Sequence, residues 1–491
     1  MRFFIHKMLK LFRLSDHTLS IYEMLVAFQN WLFQATDIAS LVYFRITFGA
    51  IMLWEVGRYL NYGWIKLYWI DPPFHFSYYG FDWVKPLPEN GMYVLFVILG
   101  VMASFITIGF KYRISAFLFF VGFTYTFLLE QARYINQYYL VCLLSFLLIF
   151  LPANRAFSID ALQRPAIYSD TIPAWPIWLL RTQIGIVYFY AAIAKMNSDW
   201  LLHAEPMKMW LSSRTDFPLI GQYFTETSMV YLLSYGGFFL DLLVFPCLLW
   251  RRTRLIAFVC AVIFHLMNSR LFSIGIFPWI MIASTGLFLA PDFPRSFVKR
   301  WWTVRHCNPA PFMKAKYLRW WRVSTCVFLS IYLALQLLIP LRHFLYPGNV
   351  NWTYEGHRFS WRMKLLSKQG NVQFIVTDPV GNQTWKFDPQ NFLAPWQVCT
   401  MAGRPDMILQ FSHYIADKMR EAGYEKIEVR VQSKLSLNGR NPQLLIDPEV
   451  NLVTQRRSLN PSSWIMPLTE ILPAKQVKNN SASSLHICEW H

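Results

Sequence analysis

Lys195 closes the apolar run Ile186 to Ala194 and is followed directly by Met196, Asn197, Asp199 and Trp200. A lysine starved of solvent favours its neutral amine, and a neutral amine can take a proton from an acidic substrate. The bland alternative is a snorkelling lysine, its stem in hydrocarbon and its ammonium at the interface. Tyr188, Ala191 and Ala192 fall on or near the same helical face, and the two alanines leave room for an apolar cosubstrate beside the amine.

Other polar side chains also interrupt apolar runs. They are Arg45, Gln183, Asp241 and His265, with Asn136, Gln137 and Asn268 near expected helix ends. An ionisable group in hydrocarbon costs roughly 2.5–3.5 kcal/mol on insertion scales unless it meets a cavity or a partner. Arg45, Asp241, His265 and Asn268 therefore form a candidate polar cluster for substrate or structure. Asp241 is expected to pair with a buried polar group such as Arg45. His265 has no second histidine at metal-ligand spacing, so neither a metal site nor a haem is expected.

The elements that must hold these residues are membrane helices. Of the 491 residues, 55% are hydrophobic and only 15% are charged, well below the quarter usual for a soluble chain. Apolar blocks over 38–57, 91–110, 114–130, 137–152, 176–195, 227–249, 254–268, 272–290 and 322–340 predict nine spans. The segment 21–35 reads as amphipathic and surface-lying. The fold class expected is a polytopic α-helical membrane domain followed by a C-terminal, non-cytoplasmic mixed α/β domain.

The domains expected are an N-terminal cytoplasmic or interfacial segment 1–37, a transmembrane domain 38–340, a mixed α/β domain 341–473 and a tail 474–491. In the C-terminal part, Val372–Val376 and Ile427–Val431 read as strands, and Arg404–Met419 as an amphipathic helix with Pro405 in its first turn.

The formal charge of +18 does not point to nucleic acid, because the basic residues are segregated. With Arg2, Lys7, Lys10 and Arg13 in the cytoplasm, crossings place Lys111 and Arg113, Arg155 and Arg164, Arg251, Arg252 and Arg254, and the basic run from Arg295 to Arg322 on that side. Nine crossings obey the positive-inside rule and put the C-terminal domain outside the cytoplasm. The lipid bilayer is the partner this distribution implies. The seven cysteines lack metal-ligand spacing; Cys399 and Cys488 are available to pair in an oxidising compartment.

The stretches Val187–Trp200 (VYFYAAIAKMNSDW), Gly236–Trp250 with Asp241, Phe264–Pro278 (FHLMNSRLFSIGIFP), Asn351–Leu365 (NWTYEGHRFSWRMKL) and Asn438–Leu452 (NGRNPQLLIDPEVNL) carry a resemblance. In this order, over roughly residues 37 to 470, the chain resembles the vitamin K-dependent gamma-glutamyl carboxylase family, in particular its bacterial relatives with a horizontally transferred transmembrane (HTTM) domain. The resemblance implies an enzyme in a plasma or inner membrane. Reduced vitamin K hydroquinone is the implied cosubstrate, with oxygen and carbon dioxide, and a glutamate-containing protein or peptide is the acceptor. The lysine matching Lys195 is the family's base toward the hydroquinone, whose oxygenation to an epoxide drives removal of a glutamate γ-proton and addition of carbon dioxide. No metal is implied.

One departure matters. The family's asparagine–histidine pair reads Asn136–Gln137 here, and glutamine cannot carry a transferable proton as imidazole does. Quinol epoxidation without efficient carboxylation is therefore the alternative within the enzyme class. A non-enzymatic transporter or scaffold is the alternative outside it, although inverted repeats and broken spans at matching positions are not evident.

Overall fold

The computed structural model describes residues 21–272, 274–298 and 315–472. The tail 474–491, Cys488 in it, and Lys299, Arg300, Arg305 and Lys314 of the last basic run lie outside the described residues.

A helix α1 (Ile21–Leu32) and a short strand β1 (Ala35–Asp37) precede the bundle. Strand β1 pairs with β2 (Thr171–Pro173), and Arg295 ties both together through Asp37 at 2.8 Å and Asp170 at 2.7 Å. The apolar helices are α2 (Ala39–Asn61), α3 (Glu89–Ile108), α4 (Tyr112–Leu128), α5 (Asn136–Phe150), α6 (Trp175–Lys195), α8 (Thr227–Leu249), α9 (Arg254–Leu271), α10 (Phe277–Thr285) and α11 (Ala315–Leu341), with the short α7 (Ser198–His203) after α6. Six of the apolar regions are long and apolar enough to cross a membrane, and α4, α5 and the α10 region are shorter.

Small residues let these helices approach closely. A Cβ at Gly49 of α2 would lie 2.8 Å from Thr107 N and 2.9 Å from Ala103 O of α3. The apolar run expected to begin at 272 becomes helical only at Phe277. Gly275 turns through φ +58, and Pro278 then sits in the first turn of α10.

Beyond α11, strands β3 (Lys368–Asp378), β4 (Gln383–Phe387), β5 (Glu428–Leu437) and β6 (Gln443–Leu444) form one antiparallel sheet in the order β4-β3-β5-β6. The expected apolar runs are the core of the central pair: Phe374 opposes Val431 and Val376 opposes Val429. All four are buried with Met407, Ile408, Phe411 and Ile415 of helix α13 (Pro405–Glu421), whose first turn holds Pro405 as expected. Helix α12 (Pro395–Ala402) and strands β4 and β6 carry too little periodicity to stand out in the sequence.

The C-terminal part packs against one end of the helical bundle. Gln410 accepts from Ser77 N at 3.0 Å, Gln397 donates to Glu130 at 2.9 Å, Asn136 donates to Arg362 O at 3.1 Å, and Arg440 holds Asp199. These partners come from the loops 62–88 and 129–135, the start of α5, and the segment after α6. The loops bearing Lys111, Arg113, Arg155 and Arg164 lie at the other end, beside the β1–β2 pair.

Candidate functional site

Helix α6 carries Lys195 in its last turn, where the bundle meets the C-terminal part. Its amine donates to Asp241 Oδ2 at 2.6 Å and to Ala191 O at 3.3 Å. Both side chains are buried. Asp241 comes from the middle of α8, which crosses α6 so tightly that a Cβ at Gly185 would strike the Phe245 ring. Asn197 caps α7 by accepting from Trp200 N, and the Trp200 indole donates to Ser234 O of α8 at 3.1 Å. The Trp200 ring centre then lies 5.4 Å from Lys195 Nζ. The turn after the lysine thus clamps the amine-bearing helix to the carboxylate-bearing one.

The Lys195–Asp241 pair forms part of the wall of a cavity of about 770 Å3 between the bundle and the C-terminal part. Tyr188, Ala191, Gly237, Phe264 and Met281 give that wall an apolar stretch. His265 lies in the same wall, its Nε2 2.8 Å from the Tyr188 hydroxyl. Asn136, Gln137 and Asn268 also line the cavity. Asn136 is fastened on both sides, accepting from Tyr134 OH at 3.0 Å and donating to Arg362 O. Gln137 lies under Gly275, where a Cβ would come within 2.9 Å of its Nε2. Ala192 is fully buried and is not among the lining residues, because its side chain packs inside the bundle.

Arg45 does not join this cluster. Its two terminal guanidinium nitrogens go to backbone carbonyls, donating to Ala153 O at 2.7 Å, to Ala156 O at 3.3 Å and to Phe157 O. It lies near the start of α2, at the end of the bundle where Arg181 of α6 donates to Leu287 O. From Arg181 to Lys195 the helix rises about 21 Å at 1.5 Å per residue. The expected Arg45–Asp241 pairing is therefore corrected: the partner of Asp241 is Lys195. Gln183, also away from the cavity, accepts from Tyr332 OH at 2.7 Å.

Several lining residues escaped the sequence reading. Glu55 of α2 is buried and accepts from Arg58 at 2.8 Å and Tyr138 OH at 3.3 Å. The cost of a carboxylate in hydrocarbon was the signal that would have found it. From the C-terminal part come His357, Arg362, Lys364 and Lys368. Lys368 donates to Trp352 O at 2.6 Å and Gly403 O at 2.8 Å, and burial pushes its amine down to about 7. Charged residues in a polar stretch gave no comparable sequence signal.

The arrangement can do two things chemically. Its apolar membrane side can take a hydrophobic ring beside a buried proton acceptor, and its opposite side presents cations to a polar substrate.

The HTTM domain family model matches residues 33–293. The model for the lumenal domain of vitamin K-dependent gamma-carboxylase matches residues 321–471. No solved structure matches the chain.

Proposed function

We propose that this chain, which belongs to the HTTM-domain family and carries the lumenal domain of the vitamin K-dependent gamma-carboxylases, couples quinol oxidation to carboxylation of protein glutamate. The observation that carries the reading is Lys195 Nζ 2.6 Å from Asp241 Oδ2 in the cavity wall. An isolated amine in hydrocarbon is a poor base, because the ammonium it becomes is unsolvated. Asp241 provides the counter-charge for the ammonium that forms when Lys195 takes a proton, and the product is a hydrogen-bonded ion pair.

The cavity suits a reduced vitamin K. Its volume of about 770 Å3 lies within the ~300–1,000 Å3 typical of small-molecule sites. Ala191, Gly237 and Phe264 would face the ring, with Tyr188 and His265 beside it. When bound, the hydroquinone supplies the reducing power and, with oxygen, the strong base needed at a glutamate γ-carbon. Lys195 accepts the hydroquinone proton at Nζ, Asp241 holds the ammonium, and the apolar wall excludes water. Asn136 stays fastened between Tyr134 and Arg362, so it positions the joint between bundle and C-terminal part.

The segregated basic loops support nine crossings with the C-terminal domain on the non-cytoplasmic side, and the resemblance to bacterial relatives supports a plasma or inner membrane. A lipid quinol then enters laterally and a glutamate peptide from the aqueous side. Purified protein supplied with reduced vitamin K, oxygen, labelled bicarbonate and a glutamate peptide tests the reading; quinone epoxide and carboxyglutamate are both expected. Epoxide alone supports the second reading, favoured by the amide of Gln137 on the cavity wall, in which quinol oxidation runs uncoupled. Absence of quinol-dependent oxygen uptake favours a transporter or scaffold.

A further inference from the structure

We infer that His357 assists the capture of carbon dioxide in this cavity, its imidazole donating a hydrogen bond to an oxygen of carbon dioxide as that oxygen becomes part of a carboxylate. The inference rests on the carboxylase reading above and assigns one more residue to it.

Four observations converge on His357. It lines the same cavity as Lys195 and Gln137 and is 94% buried, with a relative exposure of 6%. Its buried Nδ1 has no hydrogen-bond partner among the described residues, and an orphaned buried polar atom is costly. The segment that carries it is pressed onto the Asn136–Gln137 turn: Phe359 N donates to Tyr134 OH at 2.6 Å, and Tyr139 packs on Phe359 and Trp361 with ring centres 4.9 and 5.0 Å apart. Finally, the ring is held flat on Tyr354, centroids 4.1 Å apart and planes 14° from parallel. An imidazole of the C-terminal part therefore lines the same cavity that Gln137 lines with only an amide.

Its surroundings suit a developing anion. Arg362 and Lys368 line the same cavity and have no carboxylate within ion-pair distance among the described residues. A buried guanidinium without a counter-ion, with the Lys368 N–H donors beside it, is a field prepared for negative charge. Burial and the neighbouring Arg362, Arg404, Lys368 and Arg358 keep His357 well below the usual imidazole range. The neutral ring keeps one N–H donor across the physiological range. In the step itself, the glutamate γ-carbon has already lost its proton. Its electron pair forms the new carbon–carbon bond to carbon dioxide, a C=O pair moves onto oxygen, and no proton changes hands. His357, Arg362 and Lys368 stabilise the charge on that oxygen.

The test is the ratio of carboxyglutamate to quinone epoxide, which does not depend on the fraction of protein folded. His357→Phe keeps the stack on Tyr354 and removes the donor, whereas His357→Gln keeps a donor. The expected result is a ratio lowered about 100-fold in His357→Phe, as for loss of an oxyanion donor, with a higher apparent KM for carbon dioxide and partial recovery in His357→Gln. An unchanged ratio in His357→Phe overturns the inference. So does a loss in His357→Gln as large as in His357→Phe, which would make the role one of packing. Native protein that forms epoxide without carboxyglutamate overturns the inference alone, whereas native protein that forms neither product overturns the carboxylase reading itself.

Discussion

Lys195 of α6 and Asp241 of α8 share a hydrogen bond of 2.6 Å in a wall where both are buried. Removing Lys195 leaves Asp241 a buried carboxylate without its partner, at a cost of about 3–5 kcal/mol in comparable buried pairs. Lys195→Met is expected to lower quinol-dependent oxygen uptake by about 100- to 10,000-fold, the range of a positioned acid–base group. Lost stability alone could mimic that loss. The double variant Lys195→Met with Asp241→Leu removes both buried polar groups, so it is expected to melt above either single variant and still be inactive. An active double variant, with oxygen uptake near native, would take the base role away from Lys195.

A second buried pair joins the C-terminal part to α7, the short helix that follows the base. Arg440 Nη2 donates to Asp199 Oδ1 at 2.7 Å, Nη1 to Oδ2 at 2.8 Å, and Asn438 adds a bond to Oδ2 at 2.8 Å. A planar fork on a carboxylate is not replaced by a lysine. Arg440→Met is expected to destabilise by about 3–5 kcal/mol, with Arg440→Lys losing part of that. Adding Asp199→Asn to Arg440→Met should recover stability, and a double-mutant cycle by thermal denaturation in detergent measures the coupling. Additive effects would show that the contact carries no coupling between the two parts.

These two pairs show what a sequence makes legible. Lys195, Asp241 and His265 stood out because the bilayer makes each of them costly, so their presence in apolar runs required a reason. The same cost flagged Arg45, whose reason is the carbonyls of Ala153, Ala156 and Phe157; cost identifies a polar group in hydrocarbon without naming its partner. Arg440 and His357 lie in a polar stretch, where a charge or an imidazole is unremarkable until tertiary packing buries it. Strands β3 and β5 were legible from their apolar runs, but the hairpin partner β4 exposes most of its residues and left little pattern. Register and the docking of the sheet on the bundle depend on long-range contacts such as Gln397 to Glu130.

Glu130 gives a prediction in pH. It lies in the loop between α4 and α5, and burial pushes its carboxyl from 4.5 up to about 8, against hydrogen bonds from Ala132 N, the Gln397 amide and Phe76 N. Its folded pKa lies above its unfolded one, so between these values the unfolded chain releases a proton that the folded chain retains. The unfolded state binds fewer protons there, and native stability falls as pH rises. This contribution should decline from about pH 4.5 to about pH 8 and level off above. Melting temperatures across that window are expected to slope downward in native protein and to flatten in Glu130→Gln. Equal slopes in both would remove Glu130 as the titrating group.

The orientation of the chain rests on charge and on which loops the C-terminal part touches. Loops carrying Lys111, Arg113, Arg155 and Arg164 cluster at one end of the bundle, whereas Ser77, Glu130 and Asp199 meet the C-terminal part at the other. Basic loops stay cytoplasmic, so the sheet should face the opposite side. Two exposed positions read the two ends: Val380 at the β3–β4 turn is 74% exposed, and Leu162 in the loop between α5 and α6 is 81% exposed. In intact cells with an outer barrier made permeable, Val380→Cys is expected to react with a membrane-impermeant maleimide. Leu162→Cys should react only after the plasma membrane is opened, and the parent protein, with Cys142, Cys247, Cys260 and Cys326 free in apolar helices, sets the background. The reverse pattern would invert the topology and put the cationic side of the cavity in the cytoplasm. Labelling of both positions in sealed cells would instead mean that the spans between them do not cross as an odd number.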